Sequence, residues 1–217
     1  MNNYEYIIAG LPVLSPGYRY PGQSDFASLV GEIREQLSGP DNALVDFLLR
    51  GLDPDGADAD FYAAALRHRN RFIREYFRFD FNYRNIKVRW INEALGRPEG
   101  TDIMTGPHGT EEEETAGNEG FRSGSEEFEE EEAVRSVLAE KDLLLRERKL
   151  DELVWNKVDS LTLFDWFNID AVLGFIVRLR IVDRWLILDE ASGRRMFRRL
   201  VEEVRGTFQH IIIKDKE

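Results

Sequence analysis

Cysteine is absent from the 217 residues of the chain. This absence excludes disulfide bonds, catalysis by a thiolate and metal sites with cysteine ligands. It is also consistent with a reducing compartment but does not establish one.

Long uninterrupted apolar runs are missing as well. The start, MNNYEYIIAGLPVL, has no basic region, and Gly10 and Pro12 interrupt its apolar residues, so no signal peptide is predicted. The most apolar segment, residues 172–188, contains three arginines and one aspartate. A membrane-spanning helix needs about 20 consecutive, predominantly apolar residues. We therefore predict that the chain itself does not insert into a membrane.

Motifs for nucleotide binding or acyl transfer are also lacking. The sequence contains no Walker loop, no G-x-S-x-G and no G-x-G-x-x-G. None of His68, His108 and His210 has a second histidine or a carboxylate at metal-ligand spacing. The acidic stretch DPDGADAD, residues 53–60, does not have the spacing of an EF-hand loop. We predict no enzymatic activity, no metal, no cofactor and no small-molecule substrate.

The net charge of −12 is concentrated in one part of the chain. Residues 97–132 contain thirteen acidic and two basic residues, a net charge of −11. Because this part is rich in glycine, serine and threonine and poor in apolar residues, we predict a flexible acidic linker over residues 97–125. An acidic segment that binds a partner is the alternative interpretation. The linker separates an N-terminal helical unit, residues 1–96, from a C-terminal bundle unit, residues 126–217.

Apolar residues recur at helical spacing in both units, which predicts an all-α fold of helical hairpins and bundles. Residues 4–14 fit either a short strand or a buried helix. The predicted helices cover residues 24–37, 41–49, 61–78, 80–95, 126–158, 168–188 and 192–210.

Polar residues and glycines mark the predicted helix ends. The predicted N-caps are Ser24, Asp41 and either Asp58 or Asp60. Gly51 and Gly96 stand where a helix ends in a left-handed residue.

Aromatic and arginine residues interleave in RFIREYFRFDFNYRNIKVRW, residues 71–90. One interpretation is a surface on which nucleic-acid bases stack. The other is a helix whose rings are buried and whose arginines face solvent, with Arg71 paired to Glu75 one turn later. Helical spacing of the rings favours the second interpretation. Asp80 and Arg84 are also one turn apart and are predicted to form a partly buried ion pair at a bend between two helices.

Two stretches resemble the C or d subunit of V-type rotary ATPases. FYAAALRHRNRFIREYFRFDFNYRNIKVRW, residues 61–90, contains the aromatic-aspartate step Phe79-Asp80 followed by Asn85-Ile86-Lys87. LTLFDWFNIDAVLGFIVRLRIVDRW, residues 161–185, is similar to the same subunits' aromatic loop and the helix after it. With the YEYIIAGLP start and the LVDFLL helix, the chain is similar to a bacterial family of uncharacterised proteins encoded with V-type ATPase operons.

The resemblance implies a non-catalytic structural subunit, a collar that links the central shaft to the membrane ring. The expected partners are those other ATPase subunits, and the expected location is cytoplasmic, peripheral to the inner membrane through the complex. The residues that match the motif are implied to make structural or partner contacts: Asp80, Arg84, Asn85, Lys87 and Arg89.

Two other functions stay open at this point. One is a helical adaptor or assembly factor that binds a protein partner. The other is a nucleic-acid-binding protein, which the acidic net charge disfavours.

Overall fold

The computed structural model of the chain describes residues 4–15, 26–104 and 128–187. Over these ranges the fold is all-α, as predicted, with eight helices and no strand. The helices are α1 (Tyr4–Gly10), α2 (Phe26–Gln36), α3 (Gly39–Leu52), α4 (Ala59–Leu66), α5 (Arg71–Leu95), α6 (Glu131–Leu138), α7 (Leu143–Thr162) and α8 (Ile169–Ile187). The predicted helix over 192–210, the N-cap at Ser24 and most of the predicted linker lie outside the described residues.

Two helices organise the packing. The long helix α5 packs against α3, α4, α6, α7 and α8, and α8 also packs against α1, α2, α3 and α7. Every other described helix therefore contacts α5 or α8. None of the helices in the described part of the chain is both long and apolar enough to cross a membrane.

One large core joins residues from both predicted units. Phe61, Phe72 and Phe77 of the N-terminal half are fully buried in it, together with Leu173 and Ile176 of α8. Burying an aromatic or aliphatic side chain of this size contributes about 1.5–3 kcal/mol to stability. The two halves are therefore held to each other by shared apolar burial, on either side of the acidic stretch.

A second core lies along the C-terminal part of α5. Phe79, Tyr83 and Ile86 pack there against Val134 of α6 and Leu150 of α7. This contact places α6 and α7 against the part of α5 that contains Asp80, Arg84 and Asn85.

The break in the predicted helix pair over 61–95 lies earlier than expected. Asn70 begins α5, because its Oδ1 accepts a hydrogen bond from the Ile73 N–H at 2.9 Å. The helix then continues without interruption to Gly96, which ends it as predicted with φ 63°. The predicted bend at Asp80 is therefore wrong, because the bend between the two helices is at residues 67–70.

The predicted helix over 126–158 is two helices. Asp142 interrupts it, since its Oδ1 accepts hydrogen bonds from the N–H groups of Leu144 and Leu145 and so caps α7. These two leucines are exposed at the start of α7.

Helix α3 differs from its prediction at both ends. Ser38 is its N-cap, and the Asp41 carboxylate instead accepts hydrogen bonds from Ser38 Oγ and from Tyr4 Oη of α1. Gly51 lies inside the helix, where a Cβ would collide with the rings of Phe61 and Phe77. Close packing, and not a left-handed conformation, requires glycine there.

The predicted N-cap of α4 is confirmed at Asp58. Its Oδ1 accepts a hydrogen bond of 2.7 Å from the Phe61 N–H.

Candidate functional site

The motif residues lie on α5, and the centre of the site is the Asp80 carboxylate. Its Oδ2 accepts a hydrogen bond of 2.5 Å from Tyr62 Oη of α4 and lies 2.9 Å from Arg84 Nε one turn later. The Asp80 and Arg84 side chains are 15% and 31% exposed, so the ion pair is partly buried as the spacing predicts. Because Tyr62 belongs to a different helix, the carboxylate connects α4 to α5.

Burial and the Asp80 charge shift the pKa values of the groups in this cluster. Burial raises the pKa of Asp80, while Arg84 and the Tyr62 hydrogen bond oppose the rise. Burial, with the Asp80 charge adding to it, raises the pKa of Tyr62 far above its ordinary value. Burial would lower the pKa of Arg84, but Asp80 outweighs it and the pKa is raised. Tyr62 and Arg84 are therefore donors at neutral pH, and Asp80 is their common acceptor.

Lys87 lies one turn beyond Arg84, at the edge of the cluster. Its Nζ is 5.0 Å from the centroid of the Tyr83 ring. Burial lowers the pKa of Lys87, and the Glu147 carboxylate of α7 opposes this change. An ammonium over an aromatic face is stabilised by about 0.5–2 kcal/mol.

Asn85 holds the chain that follows α5. Its Nδ2 donates to the Met104 carbonyl at 3.0 Å, and its Oδ1 accepts from the Met104 N–H at 3.1 Å. Asn92 makes a similar contact, since its Nδ2 donates to the Thr101 carbonyl at 2.7 Å. The first residues after α5 are thus fixed against the helix.

Arg89, the last residue of the motif, is half-buried on α5. Within the described ranges its side chain makes no ion pair and no hydrogen bond. The five motif residues therefore share one helix, and among these described residues Asp80 and Arg84 form an ion pair.

A second polar contact connects α7 to α8 near this site. Asp151 Oδ2 accepts hydrogen bonds of 2.5 Å from both Arg184 Nη2 and Trp185 Nε1. Burial raises the pKa of Asp151, and these two donors oppose the rise. The contact joins residues far apart in the chain, so no local spacing in the sequence predicts it.

The α4–α5 turn and the start of α5 contact the α7–α8 connection and the start of α8. Asn70 Nδ2 donates to Asp170 Oδ1 at 2.6 Å, and Arg71 Nη2 lies 3.1 Å from Asp165 Oδ2. The predicted pair of Arg71 with Glu75 is therefore wrong. Glu75 instead pairs with its neighbours Arg74 and Arg78 on α5.

The rings of the arginine-rich stretch face the interior. The buried rings are those of Phe72, Tyr76, Phe77, Phe79, Phe81 and Tyr83. Several pack against one another, as in the edge-to-face contact of Tyr76 and Phe77 with centroids 5.1 Å apart. Rings in these positions have no free face on which a base could stack.

The described part of the chain holds no group of three or more histidine, aspartate or glutamate residues placed to bind a metal ion. His68 Nδ1 accepts a hydrogen bond from the Asn70 N–H at 3.1 Å, so it has a structural contact in the α4–α5 turn. His108 and His210 lie outside the described residues. The cluster around Asp80 therefore supports a charge pair within α5 and a hydrogen bond from α4 to α5.

Comparison with known proteins identifies a family. No curated protein and no solved structure matches the chain. Residues 53–207, which include the whole motif on α5 and the α7–α8 connection, match the family described as "Protein of unknown function (DUF2764)". The chain therefore belongs to the DUF2764 family.

Proposed function

We propose that the chain is a non-catalytic structural subunit of a V-type rotary ATPase, a collar of the C/d type that links the central shaft to the membrane ring. The proposal rests on the contacts that the residues of the ATPase-like motif make. Asp80 and Arg84 join α5 to Tyr62 of α4, and Asn85 fixes the chain after α5. The residues that resemble the C/d subunit therefore hold helices in fixed positions.

The mechanical requirements of such a part support the proposal. A collar transmits torque through its contacts, so its helices must not move relative to one another. Here every described helix packs against α5 or α8, and both halves share one core. Close-packed interiors have low compressibility and transmit strain.

Affinity purification tests the proposal. The full chain, tagged and expressed in its native host, is purified in mild detergent, and the co-purifying proteins are identified and counted by mass spectrometry. We expect the catalytic, shaft and ring subunits in fixed ratios to the tagged chain, with ATPase activity in the same fraction. A preparation without these subunits, beside a control in which a tagged shaft subunit recovers the ATPase, contradicts the proposal.

A helical adaptor or assembly factor is the second candidate, because the α7–α8 connection presents exposed apolar side chains to a protein partner. An assembly factor predicts a different outcome from the same purification. An assembly factor is recovered in substoichiometric amounts with incomplete complexes, and it is absent from the fully assembled enzyme.

A further inference from the structure

The connection between α7 and α8 exposes apolar side chains on a short segment. Residues 163–167, LFDWF, here called the aromatic loop, contain four large apolar residues and one aspartate. The exposed fractions are 60% for Leu163, 85% for Phe164, 70% for Trp166 and 56% for Phe167. Single exposed apolar residues are common on protein surfaces, but a contiguous set of this size marks an interaction site.

The aromatic loop is held in one conformation by its polar residue. The Asp165 carboxylate, 20% exposed, pairs with Arg71 and accepts a hydrogen bond of 2.7 Å from Asn168 Nδ2. Arg71 Nη2 also donates to the Leu161 carbonyl at 2.7 Å. These contacts turn the carboxylate toward the protein and leave the apolar side chains outside. A loop already fixed in shape loses little conformational entropy when it binds.

Basic residues lie beside the aromatic loop. The turn between α4 and α5, RHRNR, meets the loop through Arg71, whose side chain is 57% exposed. Arg69 in the same turn is exposed, and no carboxylate of the described residues lies within ion-pair distance of it. Arginine, tryptophan and phenylalanine are among the residues enriched in protein interfaces.

We infer that the aromatic loop and the α4–α5 turn together form the docking surface for another subunit of the complex. This inference rests on the proposed function. The partner is a protein with an apolar groove edged by carboxylates. Trp166 and the phenylalanines enter the groove, and Arg69 faces its acidic edge.

Charge favours a protein partner over a lipid surface. Stable adsorption to an anionic membrane needs clusters of about four to eight basic residues, each contributing about 1 kcal/mol. The segment RHRNR, residues 67–71, has three arginines, which is fewer than such a cluster needs. A fixed loop shape suits a matching protein groove.

Photo-crosslinking in the native host tests the docking surface. In the tagged full chain, Trp166 is replaced by the photoreactive residue benzoylphenylalanine (Trp166→benzoylphenylalanine). The matched control is Leu143→benzoylphenylalanine, since Leu143 is 61% exposed and lies at the other end of α7, about 30 Å away along the helix. Thermal melts check that both variants fold like the unmodified chain.

We expect irradiation to produce one adduct with an ATPase subunit from position 166 and none from position 143. The change Arg69→Glu should lower the adduct yield at least about fivefold, because it places like charges against the acidic edge. Lys141→Glu, at the far end of α7, should leave the yield unchanged.

Several results overturn the inference. They are equal adducts from both positions, adducts with lipid alone, an adduct with a protein outside the complex, and an adduct yield that Arg69→Glu does not change. If unmodified chain still co-purifies with the ATPase subunits while position 166 yields no protein adduct, the docking surface is wrong and the proposed function stands. If the unmodified chain recovers no ATPase subunit, the proposed function itself fails.

Discussion

Tyr62 and Asp80 lie on different helices, 18 residues apart in the chain, and share a hydrogen bond of 2.5 Å. The bond crosses the α4–α5 hairpin beside the fully buried Phe81 ring, whose centroid is 5.1 Å from that of Tyr62. The same carboxylate oxygen pairs with Arg84. One partly buried acceptor thus satisfies two donors, and removing it leaves both without this partner.

Replacing Asp80 by alanine should lower the free energy of unfolding by about 3 kcal/mol, because Arg84 and Tyr62 then lose their partly buried acceptor. Urea unfolding measures the change. The matched control is Asp46→Ala, which breaks the exposed pair with Arg34 on α2 and should cost under about 1 kcal/mol. Equal losses in the two variants would show that the Asp80 contact does not stabilise the hairpin.

Replacing Asn85 by alanine should release the chain after α5. Two hydrogen bonds to Met104 are lost, which costs about 1–3 kcal/mol in total. Hydrogen exchange should show a faster-exchanging Met104 amide while the α5 amides near residue 77 keep their protection. Asn156→Ala, at an exposed position on α7, is the control and should change neither. Unchanged exchange at Met104 in Asn85→Ala would contradict the role of this side chain.

Gly174 of α8 lies close to the side chains of α7. A Cβ there would lie 2.7 Å from Thr162 Cγ2 and 3.2 Å from Val158 Cγ1. Gly174→Ala should therefore destabilise the protein by about 1–2 kcal/mol, since the steric cost exceeds the gain in helix propensity.

A second substitution distinguishes this steric cause from others. Thr162→Ser removes the methyl group but keeps the hydroxyl that donates to the Val158 carbonyl. In the Thr162→Ser background, thermal melts should show that Gly174→Ala costs less than it does in the wild-type background. If Gly174→Ala destabilises the protein equally in both backgrounds, a steric clash with the Thr162 methyl group is not the cause.

Asp170 should give stability an unusual pH dependence. Burial raises its pKa above the ordinary value of 3.8, and although Asn70 and Arg71 oppose the rise, the pKa stays raised. Between the unfolded and folded pKa values the folded state binds more protons, so this contribution to stability is lost as pH rises through that window.

The test compares wild type with Asp170→Asn, which cannot titrate at this position. The difference in free energy of unfolding, wild type minus variant, should increase as pH is lowered from about 7 to about 4. Urea unfolding at several pH values measures this difference. A difference that decreases toward low pH has the wrong sign for a carboxyl with a raised pKa.

The positions of most helices follow from apolar spacing alone. Both ends of α3, the C-terminal end of α2 and the N-terminal end of α8 lie within three residues of their predicted positions. The two helix breaks do not follow from it, because Asn70 and Asp142 interrupt patterns that continue on both sides. A polar side chain at such a position either caps a new helix or faces solvent, and packing against other helices decides which.

The candidate site shows the same limit. One-turn spacing predicts the Asp80–Arg84 pair, which is a local contact. Tyr62 follows an equally regular apolar pattern, so its hydroxyl contact with Asp80 depends on the position of the α4–α5 turn. The partner of Arg71 was missed for a related reason. Asp165 is 94 residues away in the chain, and only the packing of α7 and α8 against α5 brings it closer than Glu75.

The central claim is that the chain is a collar between the shaft and the ring of a rotary ATPase. Electron cryo-microscopy of the complex, purified from the native host through a tagged ring subunit, tests it most directly. The account predicts helical density that fits α5 and α8, positioned on the rotation axis between the ring's cytoplasmic end and the shaft. A complete complex with no such density there, or with the chain at the periphery, would contradict the account.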